Sequence, residues 1–481
     1  MTRSILGILL GTALSIPMAW AQEAEAPPAG NALALETFSG RVLASGLEGP
    51  WEVTWGPDDM LWVTERSAGR VSRINPETGE KTELLRIDDV LSDAQHQGLL
   101  GMALHPDLLK GDGNNYVYLY HTYDSTPDNG DDQDAPRAKI VRVAYDEAAG
   151  TLGEPTELIS GIPAGNDHNG GRLKIGPDGM LYATLGEQGA NQFGNWCKPI
   201  EAQRLPTAEE VGAEDWSAYK GKTLRMNLDG SIPEDNPEIE GVRSHVFTYG
   251  HRNPQGIVFG PDGTLYQSEH GANADDEINI LEGGINFGWP HVAGFRDNQA
   301  YVYANWSEAP NCEDLTWTNL MDEESLPDEV PFEKETDWDG DFAEPLKTLF
   351  TVPNGYDFED EACGDLFFIC RPGVAPSSID YYPEDGPIPG WGPSLLVTTL
   401  KNGAVYRLLL TGDGQGIRDI DRLFGTVNRY RDLAIAPDNR TICVATDAGG
   451  IARGADAGAT DKLANPGSIL VFTYTGDGAA E

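Results

Sequence analysis

One phrase recurs along the chain and restricts the fold more than any other feature of the sequence. Gly56-Pro57-Asp58-Asp59-Met60-Leu61-Trp62-Val63 returns as Gly176-Pro177-Asp178-Gly179-Met180-Leu181-Tyr182, as Gly260-Pro261-Asp262-Gly263-Thr264-Leu265-Tyr266 and as Ala436-Pro437-Asp438-Asn439-Arg440-Thr441-Ile442. Each is a turn signal followed by a strand. Variants stand at His105-Pro106-Asp107, ahead of Tyr116 to Tyr120, and at Trp391-Gly392-Pro393, ahead of Leu395 to Thr399. Further β-rich runs lie between the copies, among them Ala138 to Tyr145, His245 to Tyr249, Val405 to Leu410 and Ser468 to Tyr474, while long amphipathic helical patterns are scarce. Strand-turn units repeated in this way stack and shield one another's edges. The six copies predict an all-β chain, a six-bladed β-propeller over residues 33–478. The strand Ser468 to Tyr474 is expected to close the ring by pairing with an N-terminal strand near Leu33 to Phe38. Residues 293–346, rich in Pro, Asp and Glu, are expected to form a large insertion on one face.

Ahead of the repeats, Arg3 precedes an apolar stretch from Ile5 to Trp20 that ends in Ala19-Trp20-Ala21, the pattern of a secretory signal peptide over residues 1–21. Residues 22–32, made of Ala, Glu, Pro, Gly, Gln and Asn, read as a disordered leader. No later segment approaches the roughly 18 consecutive apolar residues that a membrane span requires. The chain is expected to be periplasmic or secreted. There disulfides persist. Of five cysteines, Cys363 and Cys370 bracket a short loop and are the first expected pair; Cys197 and Cys312 are candidates for a second, and Cys443, in an apolar run, reads as a buried thiol. The excess of 77 acidic over 33 basic residues, a net charge of −44, opposes nucleic acid and anionic membranes and points to a neutral small-molecule substrate.

Four constellations carry chemistry. Asn166-Asp167-His168-Asn169-Gly170-Gly171-Arg172 places a histidine on a loop at a strand end, where it could act as a base near neutral pH. Tyr249-Gly250-His251-Arg252-Asn253-Pro254-Gln255-Gly256 sets a guanidinium beside amides, able to polarise a carbonyl or hold an anion. Ser268 to Glu277 joins Gly to clustered acids, hard oxygen donors of the kind calcium takes, although no EF-hand spacing is present. Lys401-Asn402-Gly403 and Asn428-Arg429-Tyr430-Arg431-Asp432 bring three cations to blade ends in a very acidic chain, which invites an anionic ligand. Taken alone, each also reads as an ordinary solvated or ion-paired loop.

Longer phrases extend these: Gly98-Leu99-Leu100-Gly101, Gly171-Arg172-Leu173, Leu228-Asp229-Gly230-Ser231-Ile232-Pro233, Asp275-Asp276-Glu277-Ile278-Asn279 and Val374-Ala375-Pro376-Ser377-Ser378. With them, from about Gly46 to Tyr474, the chain resembles the soluble quinoprotein glucose dehydrogenases of the glucose/sorbosone dehydrogenase family. The resemblance implies a six-bladed propeller that oxidises an aldose at carbon 1 to a lactone with pyrroloquinoline quinone (PQQ) and calcium, passes electrons to an external acceptor (a quinone, cytochrome or dye) and forms a homodimer. It implies that His168 is the general base beside Asp167, that Arg252 and Asn253 contact the quinone, and that Lys401, Arg429 and Arg431 bind its carboxylates. The carbonyls of Gly271 and Ala272 would hold the catalytic calcium. A second calcium, at the family's dimer interface, would be held by Glu277, the carbonyls of Phe287 and Ala293, Asp297 and Glu335. Gln192 and Phe193 fall at sugar-contacting positions. His96 stands where the family has a cofactor-side glutamine, Ala272 replaces a proline, and Phe368 and Arg371 replace a tyrosine and a tryptophan of the sugar pocket. Exchanging that aromatic wall for a mobile guanidinium is expected to alter the preferred sugar.

A binding propeller without catalysis would have no reason to keep His168, Arg252, Lys401, Arg429 and Arg431 together. A metal-dependent propeller lactonase would need acidic side chains around the central channel.

Overall fold

The computed structural model describes residues 37–126, 136–359, 361–455 and 457–476; the expected signal peptide and leader lie outside them. Six antiparallel sheets surround one axis, five of four strands and the second blade with a short fifth, Thr151–Leu152. In chain order their first strands are Pro50–Trp55, Leu99–Leu104, Leu173–Ile175, Pro254–Phe259, Pro376–Tyr382 and Tyr430–Ile435. These innermost strands pack against those of neighbouring blades. The protein is a six-bladed β-propeller, as the repeats predict.

Each recurring turn joins the first strand of a blade to the second, and its local chemistry is on view. The amide of Gly56 donates to Met60 O, and those of Gly176, Gly260 and Ala436 donate likewise to Met180, Thr264 and Thr441. The aspartate two residues on then accepts from the turn's own amides: Asp178 from Met180 at 3.1 Å, Asp262 from Thr264 at 3.0 Å and Asp438 from Arg440 at 2.8 Å. These aspartates are fasteners of the turn. Because all six turns lie at one end of the strands, the segments entering each first strand and those joining the second strand to the third lie at the other end. Every constellation singled out in the sequence belongs to that second set.

The ring closes as expected, but with a different strand. Phe38–Ala44 pairs antiparallel with Ile469–Tyr474 and completes the sixth blade. The strand therefore begins at the residue where the sequence reading placed its end, and residues 33–36 lie outside the described part. Alternation explains the choice: Phe38 turns inward among Trp391, Phe424 and Tyr474, at ring separations of 4.9–5.6 Å.

Along the axis, Arg172 ties four other blades together. Its guanidinium pairs with Glu52 and, at 3.1 Å, with Asp432; Nε donates to Gln255 O and Nη2 to Ser377 O, both at 2.9 Å, and the group covers the Trp51 ring. This buried ion cluster would be costly without so complete a set of partners.

Between strands Asp276–Leu281 and Lys347–Leu349 of the fourth blade, the chain makes a long excursion holding the small ladder of Tyr303–Ala304 with Phe332–Glu333 and several 3₁₀ turns. Cys312, within it, bonds to Cys197 of the third blade's loop, across 115 residues of sequence. Cys363 and Cys370 form the second disulfide, and Cys443 is a buried free thiol. A cross-link spanning so long a loop contributes about 2–4 kcal/mol.

Candidate active site

At the end of the propeller opposite the repeated turns lies a cavity of about 420 Å³. It gathers residues from eight loops: His96; Asp167 and His168; Gln192 and Phe193; Arg252; Gly271 and Ala272; Phe368 and Arg371; Lys401; and Arg429. Four cationic side chains line it against two carboxylates, Asp167 and Asp276. In a chain of net charge −44 this is a local reversal of sign, fit for an anionic ligand.

His168 sits in left-handed backbone, φ 43°, which turns its side chain toward the cavity. The strand end that follows must pass very close: a Cβ on Gly186 would lie 2.0 Å from His168 O, so only glycine fits there. Behind the ring, Nδ1 lies 2.5 Å from Oε1 of the buried Glu187. A carboxylate can only accept, so Nδ1 is the donor, and in the neutral ring Nε2 is the nitrogen left free to accept. Nε2 faces Gln192 Nε2 at 3.2 Å, an amide donor. Gln192 also donates to Asp167 at 2.9 Å and accepts from Arg252 Nη2 at 2.8 Å, so one amide aligns three groups of the site.

Asp167 lies 3.1 Å from His96 Nε2 and 3.7 Å from His168 Nε2. Burial alone would raise its carboxyl, but His168 and His96, protonated at the acid pH where it titrates, together with the His168 amide and Arg252, hold it well below the usual carboxylate range. His96 is pushed down to about 4 by burial, against the pull of Asp167, and is neutral at physiological pH. Arg252 is fixed from behind as well: its amide donates to Glu269 Oε2 at 2.9 Å, and its guanidinium stands over Trp289.

On the far wall, Lys401 is held down to about 8 by burial, opposed by the attraction of Asp276. Arg429 pairs with Asp447 at 3.0 Å and donates to Ile451 O. Asp276 accepts from the amides of Gly271 and Ala375, both at 2.8 Å, and so shapes the turn whose residues Gly271 and Ala272 line the cavity. That turn is tight, since a Cβ on Gly271 would meet Ala274 O at 2.0 Å.

Two predicted cofactor residues do not reach the wall. Asn253 is fully buried beneath it, where Oδ1 accepts from Gly170 N at 3.3 Å and Nδ2 lies 3.4 Å from His270 Nδ1. Arg431 is spent on Asp447, at 2.8 and 2.9 Å, and on Gln255 Oε1. The expected mobility of Arg371 is also corrected. It is buried, with Nη1 donating to Asn273 Oδ1 and, at 3.4 Å, to Asn319 O, because desolvating a guanidinium demands fixed acceptors.

Of the residues expected around a second metal, Ala293, Asp297 and Glu335 are joined by hydrogen bonds apart from the cavity, and Glu277 bonds to the adjoining Gly294. Glu277 accepts from Gly294 N; Glu335 accepts from the amides of Ala293, Asp297 and Asn298. Burial, and in part neighbouring acids, raise the carboxyls of Asp275, Glu277, Asp297 and Glu335, the last to about 7. Among the described residues no three His, Cys, Asp or Glu side chains converge on one point, so any cation held here would need carbonyls such as those of Phe287 and Ala293.

Sequence reasoning missed Glu187, Asp276 as a turn-former, and Asp447. Glu187 had a signal: in Gly186-Glu187-Gln188-Gly189 an acid stands between glycines at the end of the second strand of its blade, the same end of the propeller as His168.

The chain belongs to the glucose/sorbosone dehydrogenase family, whose model, Glucose / Sorbosone dehydrogenase, matches residues 47–322 and 357–453. It is an oxidoreductase of that family. It is 42% identical over 446 residues to quinoprotein glucose dehydrogenase B of Acinetobacter calcoaceticus, covering 91% of each chain. An aldose sugar dehydrogenase of Escherichia coli is 28% identical over 375 residues, 69% of this chain and 92% of that one. Among solved structures, the PQQ-bound form of an aldose sugar dehydrogenase from Streptomyces coelicolor superimposes with a TM-score of 0.59 at 26% identity, covering 91% of this chain and 98% of that chain.

Proposed function

We propose that the cavity binds PQQ with calcium and that the protein oxidises an aldose at carbon 1 to the lactone, passing electrons to an external acceptor. The observation that carries this reading is the pairing, in one cavity, of a base with its free nitrogen exposed and a wall of cations. The fit to the cofactor pair rests on the donor set. Lys401, Arg429 and Arg252 suit a planar polycarboxylate, the turn at Gly271 and Ala272 offers carbonyl oxygens to a hard cation, and two buried nitrogens, Arg252 Nε and His270 Nε2, have no hydrogen-bond partner among the described residues. When bound, the quinone supplies the hydride acceptor and calcium the Lewis acid, chemistry that no side chain here provides.

The chain's own residues do the rest. His168 Nε2 takes the proton of the anomeric hydroxyl, and Glu187 stabilises the imidazolium that forms. Gln192 and Asp167 align the sugar hydroxyls beside that nitrogen, and Arg252 sets positive charge where negative charge develops. The two disulfides support the expected export to the periplasm or beyond.

Two expectations test the reading. Lys401→Met should weaken binding of PQQ, followed by absorbance titration, by roughly 10- to 100-fold, the scale of one charged hydrogen bond. In the wild type the affinity should also fall as pH rises above about 8, because Lys401 then loses its charge and must regain a proton to meet an anion; below that pH it is already charged. That limb should vanish in the variant. An unchanged titration would place the cofactor elsewhere. For the sugar, Arg371→Trp should change the order of preference among a panel of aldoses, since it exchanges a fixed donor for a stacking face; identical profiles would remove Arg371 from sugar selection.

A further inference from the structure

Gln192 is the amide on which His168, Asp167 and Arg252 converge, and what holds Gln192 in place lies outside the cavity. The turn that carries it, residues 187–198, leaves its blade at Glu187, whose Oε2 accepts from the amide of Ala190 at 2.8 Å. Beyond that point the backbone takes a form it would not keep unaided. Gln188, Asn191 and Phe193 all lie in the left-handed region, at φ 62°, 62° and 43°, which side chains other than glycine's rarely adopt. Such conformations persist only where the surroundings over-determine them.

Here the surroundings are the long excursion of the fourth blade. The buried Asn191 donates from Nδ2 to Ala304 O at 2.7 Å, and its Oδ1 accepts from the amide of Trp306 at 3.0 Å. Trp196 Nε1 donates to Cys312 O at 3.4 Å, and the Phe193 ring packs on Trp317 at 5.0 Å. Cys197 is bonded to Cys312. Within the turn, Asn191 N donates to Asn195 O and Lys198 O, which carries the hold at Cys197 back to the residue before Gln192. The anchoring stretch is itself firm, because Ala304, Trp306, Cys312 and Val330 pack into one buried apolar cluster.

We propose that the excursion is a clamp on this turn, and that Cys197, Cys312 and Asn191 are positioning residues that keep Gln192 set against His168, Asp167 and Arg252. The inference rests on the reaction proposed above. None of the three is among the described residues that line the cavity, so each acts through Gln192 and not on the sugar. The cross-link fastens one end of the turn and Asn191 the middle, and with either gone the left-handed residues relax and take Gln192 with them.

The test pairs hydrogen–deuterium exchange with kinetics. In the unloaded protein, Cys197→Ala with Cys312→Ala, and separately Asn191→Ala, should speed exchange in residues 187–198 by roughly tenfold or more, while the blade strands keep their protection. In the calcium- and PQQ-loaded protein each should lower kcat for an aldose by roughly 10- to 100-fold, the scale of a small misplacement beside a reacting centre, with the PQQ titration unchanged. The decisive arm uses Gln192→Ala. In that background the cysteine substitutions should cost less than about twofold more, because the group they position is already gone. Should the cysteine variant not fold, Asn191→Ala takes its place in every arm. Unchanged exchange in 187–198, protection lost evenly over the blades, an unchanged kcat, or an undiminished loss in the Gln192→Ala background would overturn the proposal. Failure of the reaction itself would be seen separately, as wild-type protein whose bound PQQ is not reduced by aldose while the exchange result stands.

Discussion

Replacing His168 by glutamine is expected to cut kcat by roughly 10²-fold or more, the scale on which a general base acts, while the PQQ titration stays close to that of the wild type. The separation follows from the geometry. His168 meets the cavity through one nitrogen, whose nearest polar neighbours are Gln192 and Asp167, and the cations that suit the cofactor stand on other loops. Glutamine keeps a polar group there but has no nitrogen that accepts a proton near neutral pH. Its amide can still pair with Glu187, so the buried carboxylate is not stranded. Steady-state rates and cofactor titration on the same preparation decide the matter; near-wild-type turnover would remove His168 from the chemistry.

Arg252→Leu should be at least as damaging, costing roughly 10²–10³-fold in kcat with cofactor saturating, because it deletes a donor aimed at developing negative charge in a water-poor site. Loss of folding is not expected. The backbone amide that anchors this position to Glu269 is retained, and leucine can rest against Trp289. Arg252→Lys separates charge from geometry. It keeps the positive charge and loses the fork that reaches Gln192, so it should recover part of the rate. Equal rates in the leucine and lysine variants would show that charge is not what Arg252 contributes.

Legibility in the sequence followed the range of the forces involved. The turns were readable because everything that makes them is local: a proline that presets φ, an aspartate that accepts from amides two or three residues on, and the strand that follows. Six such turns fixed the number of blades. The sequence puts the closing strand too early, near Leu33 to Phe38, because the partner of Phe38–Ala44, Ile469–Tyr474, lies more than four hundred residues away and the pairing is decided by ring packing against Trp391 and Phe424. Within the site, the motifs and the family resemblance located the loops. They did not say which side chain of each loop faces the cavity. Asn253 and Arg431 lie one layer down because Gly170, Asp447 and Gln255 claim their polar groups first, and Glu187 takes the place behind His168 for which Asp167 was the only sequence neighbour. The sequence suggests a mobile Arg371 because it does not show the acceptors, Asn273 and Asn319, that hold it.

The most direct test of the whole account is reconstitution. Protein made in a host that lacks the quinone should be folded and inactive, and should gain aldose:dye oxidoreductase activity only when calcium and PQQ are both added. Neither should suffice alone, because the quinone without calcium lacks its Lewis acid and calcium without the quinone leaves no hydride acceptor. Activity with a nicotinamide cofactor instead, or a folded protein that shows no PQQ binding by absorbance titration, would contradict it.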